Sequence, residues 1–147
     1  MTIDEILDFM GALDGVLTLR PAPGDGTPEI GWGDTFFYYA PDGTVPATAQ
    51  PFATVVTKDY PGDTSSRLDR PGTFRVNMAA GKAAFTEWTA HGPGDPSAAD
   101  SVIAHPVYGG AGWLAVVNPG ARTETVTRDL LRTAYRLARA RHERRAG

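Results

Sequence analysis

The sequence predicts an α+β fold: a mostly antiparallel sheet with an N-terminal, a middle and a C-terminal helix packed on one of its faces. Three observations point there. Segments rich in β-branched and aromatic residues cluster in the middle of the chain and do not alternate regularly with helices. Helical periodicity is confined to the start, one middle segment and the end. The two longest strand-like segments are joined by a polar link, as in an antiparallel pair. The 147 residues, 41% of them hydrophobic, suit one domain spanning 1–147. A chain of this length buries roughly 68–70% of its extended surface on folding.

Thr2 with Glu5 fits a capping box, and Ile3, Ile6, Leu7, Met10 and Leu13 follow at helical spacing. This predicts a helix over 3–13, stopped by Asp14-Gly15. Val16, Leu17 and Leu19 form a short strand, and 21–28 is a loop of Pro, Gly and Asp. Glu29–Trp32 reads as a short strand-like piece and Thr35–Ala40 (TFFYYA) as an aromatic strand. Phe52–Lys58 (FATVVTK) is the next strand. Asp59–Pro71 is a turn-rich link with room for one helical turn. Thr73–Asn77 (TFRVN) is a strand with Phe74 and Val76 on one face and Arg75 and Asn77 on the other. Met78–Thr89 switches to helical spacing, and Asp100–Ala104 suggests a helical turn. Gly109–Gly112 leads into Trp113–Val117, a strand of the buried type. The last helix starts near Thr123 and runs beyond Arg141, with Val126, Leu130, Ala134, Leu137 and Ala138 as its apolar stripe.

Composition excludes several classes of chemistry. There is no cysteine, so disulfides, thiolate metal sites, iron–sulfur clusters and cysteine nucleophiles are out. No apolar run reaches the roughly 18 residues of a membrane span. The acidic, amphipathic start MTIDEILDF is unlike a signal peptide, which predicts a cytoplasmic protein. His91, His105 and His142 never fall at metal-ligand spacing, and no metal or cofactor is implied. Asp4, Glu5 and Asp8 share a helix face, where they suit the positive end of the helix dipole. The glycine-rich stretches lack a phosphate-loop pattern, and no Gly-x-Ser-x-Gly occurs. The net charge of −3 is uneven: from Arg122 to Gly147 there are eight arginines against three acids. That tail suits either a solvated helix face or an acidic partner such as nucleic acid.

The candidate site is polar and aromatic, and sits on or beside the strands. Trp32, Tyr38, Lys58, Arg75, Asn77, His105, Tyr108 and Trp113 are the proposed ligand-binding residues. If the helices cover one sheet face, the other presents rings with a few cations. Rings stack on a flat guest, Arg75 or Lys58 pairs with an acidic group, and Asn77 fixes orientation. The alternative is that the rings are core or interface and that Arg75 pairs with Asp34 or Asp69. His105, beside Pro106, either caps a turn or acts as an acid–base group with Asp34 or Tyr108.

The run His105-Pro106-Val107-Tyr108-Gly109, then Gly112-Trp113-Leu114-Ala115-Val116, then Ala134-Tyr135-Arg136-Leu137, resembles the end of the MmcQ/YjbR family. Leu13-Asp14-Gly15-Val16 after a short amphipathic helix is similar to its start. The middle resembles a group of uncharacterised small bacterial proteins. The shared runs are Trp32-Gly33-Asp34-x-Phe36-Phe37-Tyr38, Pro51–Lys58 and Leu68-Asp69-Arg70-Pro71-Gly72-x-Phe74-Arg75. The resemblance spans nearly the whole chain. It implies a CyaY-like α+β fold and a domain of unknown function, whose frequent DNA-binding label fits poorly with an acidic chain lacking a lysine-rich wing. The expected function is binding of a small acidic or aromatic ligand on the sheet face. Two alternatives are a nucleic-acid-binding module using the Arg-rich last helix and a small enzyme using His105. A homodimer through an exposed sheet edge is a further expectation, and a membrane partner is not.

Overall fold

A computed structural model describes residues 1–146. The chain forms α1 (Ile3–Gly11), β1 (Val16–Leu19), β2 (Thr35–Tyr39), β3 (Ala53–Val56), β4 (Arg75–Met78), α2 (Gly81–Trp88), β5 (Val102–Ala104), β6 (Leu114–Val117) and α3 (Glu124–Ala146). The six strands make one antiparallel sheet in the order β1-β2-β3-β4-β6-β5. The α+β fold is therefore as the sequence predicts.

Local chemistry explains the boundaries. Thr2 and Glu5 form the capping box at the start of α1. At the turn into β1, Gly15 has a φ of +80°, and a Cβ there would meet the Tyr39 ring at 2.6 Å. No other residue fits that turn without displacing the ring. The second helix is shorter at its start than the periodicity suggests, because Met78 stays in the ladder opposite Leu114.

Two short segments differ from the sequence reading. Glu29–Gly31 is a 3-10 turn, not a strand. Val102–Ala104 is an edge strand paired with β6, not a helical turn. A three-residue apolar run has no period to read, so the free edge of β6 decides its conformation. Asp100, just before it, has a φ of +54° that rules out a helical turn at that point.

The register separates the two sheet faces. Phe37, Ala53, Val55, Val76, Met78, Leu114 and Val116 turn to the helices. There they share one core with Ile6 and Met10 of α1 and with Leu130, Leu131, Ala134 and Tyr135 of α3. Phe36, Thr54, Val56, Arg75, Asn77 and Val117 turn the other way. The 59–71 segment lies over one end of this second face, with Leu68 packed on Val56 and Val117. The other end is bare of helices, and the candidate site lies there.

Asp100 fastens the start of α3. Its carboxylate accepts from the backbone N–H groups of Gly120 (2.8 Å), Arg122 (3.1 Å) and Thr123 (3.0 Å) and from the Thr123 hydroxyl (2.6 Å). These bonds, led by the Thr123 hydroxyl, hold its pKa down to about 2 from an ordinary 3.8. The group's stabilising contribution is thus complete above about pH 4 and lost as pH falls toward 2. Asp100→Ala is expected to cost about 0.5–2 kcal/mol at neutral pH, as loss of a helix cap does. Urea denaturation checks this, and the gap between variant and native chain should shrink as pH falls from 4 to 2.

Candidate functional site

The alternation of β4 puts Arg75 and Asn77 side by side on the helix-free face, opposite Val56 and Thr54 of β3. A chain of hydrogen bonds follows. Asn77 Nδ2 donates to Thr54 Oγ1 (3.0 Å), and Arg75 Nε donates to Asn77 Oδ1 (2.7 Å). The guanidinium then grips Asp63 with both arms, Nη1 to Oδ1 at 3.0 Å and Nη2 to Oδ2 at 2.6 Å. Nη1 also donates to Ser66 Oγ at 3.0 Å. Arg75 is only 1% exposed, so its charge depends on Asp63 for compensation. Its partner is neither Asp34 nor Asp69, the two acids the sequence suggested.

Asp63 reaches the guanidinium through a tight turn. Tyr60 and Asp63 exchange backbone hydrogen bonds across Pro61-Gly62, with Gly62 at a φ of +78°. Pro at the second turn position and a left-handed Gly at the third are type II turn chemistry. Burial alone would raise the Asp63 pKa. The hydrogen bonds and charge of Arg75, with a contribution from His105, hold it below the ordinary value instead.

His105 closes the network. Its Nδ1 accepts from the backbone N–H groups of Val107 (3.1 Å) and Tyr108 (3.0 Å), so it caps the turn that follows. Its Nε2 lies 3.2 Å from Arg75 Nη2. Burial, then the charge of Arg75, push its pKa down to about 4 against the opposing pull of Asp63, so the ring is neutral at pH 7. A neutral imidazole has one N–H and one free lone pair. Here both nitrogens face donors, and the network is one acceptor short.

Above this floor is a cleft of about 660 Å³. Phe36, Val56, Tyr60 and Pro61 line one part of it, and Val107, Tyr108 and Trp113 another. The His105 and Tyr108 rings are 4.9 Å apart, and Trp113 lies 6.4 Å from each. Tyr108 is 57% exposed and forms the rim.

Of the eight residues named from sequence, the structure gathers Arg75, Asn77, His105, Tyr108 and Trp113 around this cleft. Trp32, Tyr38 and Lys58 lie elsewhere. Trp32 Nε1 donates to Thr27, and Tyr38 lines a neighbouring hollow. Lys58 pairs with the buried Asp34 (3.0 Å) and donates to the Trp32 carbonyl (2.8 Å). Asp34 also accepts from Thr57 N and Oγ1 and from the Tyr60 hydroxyl. Burial, then Asp34, raise the Tyr60 pKa and keep the phenol protonated. His105 shares no side-chain hydrogen bond with Asp34 or with the Tyr108 hydroxyl among the described residues. Sequence reasoning missed Asp63, Ser66 and Tyr60. Tyr-Pro-Gly-Asp was the usable signal, because that turn sets the Tyr60 and Asp63 side chains close together.

The arginines of α3 are partly spoken for. Arg128 pairs with Glu124, Arg132 with Asp129 and Arg139 with Glu143, and both Arg128 and Arg132 lie over the Phe9 ring. Among the described residues, no helix is long and apolar enough to cross a membrane, and no group of three His, Asp or Glu is placed to hold a metal ion.

Removing Asp63 tests the electrostatic account. Asp63→Ala is expected to cost about 3–5 kcal/mol in urea denaturation by stranding a buried guanidinium. An Asp63→Leu, Arg75→Met double variant should recover much of that loss, and failure to recover it would contradict the account. The lowered pKa of His105 makes a separate, signed prediction. Its contribution is intact above pH 6.5 and is lost as pH falls from 6.5 toward 4, because the unfolded chain takes up the proton first. Over that window the native chain should lose stability more steeply than His105→Gln, by a slope approaching about 1.4 kcal/mol per pH unit.

The chain belongs to a family of unknown function (DUF6194), whose model matches residues 1–147. No curated protein matches it, and no solved structure does.

Proposed function

We propose that this member of a family of unknown function binds a small planar molecule in the cleft, with the rings of Tyr108 and Trp113 against its faces and an oxygen of the guest on the Arg75–His105 pair. The acceptor deficit at the cleft floor is the observation that carries this reading. Arg75 and His105 present one more donor than the chain has acceptors for, and a buried donor without a partner costs about 1–3 kcal/mol. A carbonyl oxygen on a guest supplies what is missing. The aromatic walls supply apolar area and stacking, and Asn77 and Thr54 add polar groups that fix orientation. Because Asp63 already neutralises Arg75, the floor selects an acceptor and not a full negative charge. We also propose one cytoplasmic domain spanning 1–147, related in fold to MmcQ/YjbR proteins. The resemblance of His105–Gly109 and Gly112–Val116 to the end of that family, with the helix–strand order, supports that reading.

The test uses the full chain and two naphthalene probes in calorimetric titrations. Naphthamide, which carries a carbonyl, is expected to bind at least about tenfold more tightly than methylnaphthalene, the scale of one satisfied buried donor. Tyr108→Ala should weaken naphthamide by about three- to tenfold, the worth of one aromatic contact. Equal affinity for the two probes, or indifference to Tyr108→Ala, would overturn the reading.

A further inference from the structure

We propose that the guest of this cleft also carries an anionic group, held by Arg141 and Arg145 where the cleft runs over the end of the sheet toward α3. This rests on the reading of the cleft given above and adds the chemical class of its ligand.

Geometry supplies the first argument. A second hollow of about 290 Å³ lies between β2 and the C-terminal half of α3. It shares Gln50, Pro51 and Trp113 with the aromatic cleft, so the two adjoin across the Trp113 ring. At this end of the sheet β2 and β4 leave while β3 and β6 enter, so the hollow is reached from the helix-free face without crossing the core. Its far side is formed by Arg141 and Arg145, one helical turn apart and on one face of α3.

Charge supplies the second. Arg128, Arg132 and Arg139 each have a carboxylate at 3.0 Å or closer. Among the described residues, Arg141 and Arg145 have none within ion-pair distance. Partial burial, then the like charges of Arg145 and Arg144, hold the Arg141 pKa below its ordinary value. Two forked cations beside an aromatic wall, with no counter-charge, suit a carboxylate or a phosphate. Arg136 and Arg144 also have no carboxylate partner among the described residues, but neither lines the hollow, so Arg141 and Arg145 are the charge it presents. A nucleic acid strand needs an extended stripe.

Calorimetric titration of the full chain separates the possibilities. The probes are naphthamide and its derivatives bearing a carboxylate or a phosphate on the ring remote from the amide. In the native chain the anionic probes are expected to bind about tenfold or more tightly than naphthamide, a gain that falls with added salt. The stronger of the two identifies the anion. In Arg141→Gln, Arg145→Gln the gain should vanish while naphthamide affinity and thermal stability stay unchanged. A gain that persists in this variant, or no gain in the native chain, overturns the proposal. If naphthamide still binds and still responds to Tyr108→Ala in that case, the cleft reading stands without it. Failure of naphthamide itself overturns both. A single-stranded oligonucleotide that binds through Arg141 and Arg145 but ignores Tyr108→Ala would also overturn the proposal, in favour of nucleic acid.

Discussion

The fold's helix-free face is organised by one buried ion pair, the two-armed contact between Arg75 and Asp63. Burying an isolated guanidinium is prohibitive, and the pair is tolerated because Asp63 supplies the opposite charge and four of the five guanidinium N–H groups have acceptors within the chain. Asp63 takes two N–H groups, Ser66 a third and Asn77 a fourth. These partners come from the 59–71 segment and from β4 itself. The pair therefore fastens an otherwise irregular stretch to the sheet, and in doing so sets Tyr60 and Pro61 as one wall of the cleft. Replacing the pair with apolar side chains would cost little in free energy but would remove one of the two polar anchors that specify where that wall stands. Register is the best-attested use of such a pair.

A second acid performs the same task from the start of β2. Asp34, buried beside β2, takes two bonds from Thr57, one from Tyr60 and an ion pair from Lys58. Tyr60 is thus held at both ends: its backbone pairs with Asp63 and its hydroxyl with Asp34. The two acids are separate anchors of one segment, which explains how a stretch without helix or strand keeps a defined cleft wall.

The sequence made the faces legible and left the partners obscure. Alternation in TFRVN put Arg75 and Asn77 together, because a strand's period is local and short. The helices were readable for the same reason, α1 through its capping box and α3 through its apolar stripe. Arg75's partner was not readable, since any of several acids lies within reach of a long flexible side chain and only the tertiary placement of the 59–71 segment selects Asp63. Lys58 was assigned to the cleft from its strand, but β3 ends at Val56. Two residues further on the chain has turned toward Asp34. Tyr38 shares a face with Phe36, yet it lies one pleat nearer the end of the sheet and so lines the hollow beside α3. Errors of one pleat are invisible to a pattern that repeats every two residues.

His105 shows how a structural role and a binding role coincide in one ring. Capping the turn occupies Nδ1 with two backbone donors, which forces the proton of the neutral ring onto Nε2. That proton faces Arg75, whose other N–H groups are already used. A ring that capped the same turn in an open, solvated place would simply turn its N–H to water. Here burial, the guanidinium and the walls of Tyr108 and Trp113 confine it. The deficit is a consequence of three locally favourable choices: a capped turn, a satisfied ion pair and a neutral buried imidazole. None can be relaxed without losing one of the others, so the missing acceptor is most readily supplied from the open side of the cleft.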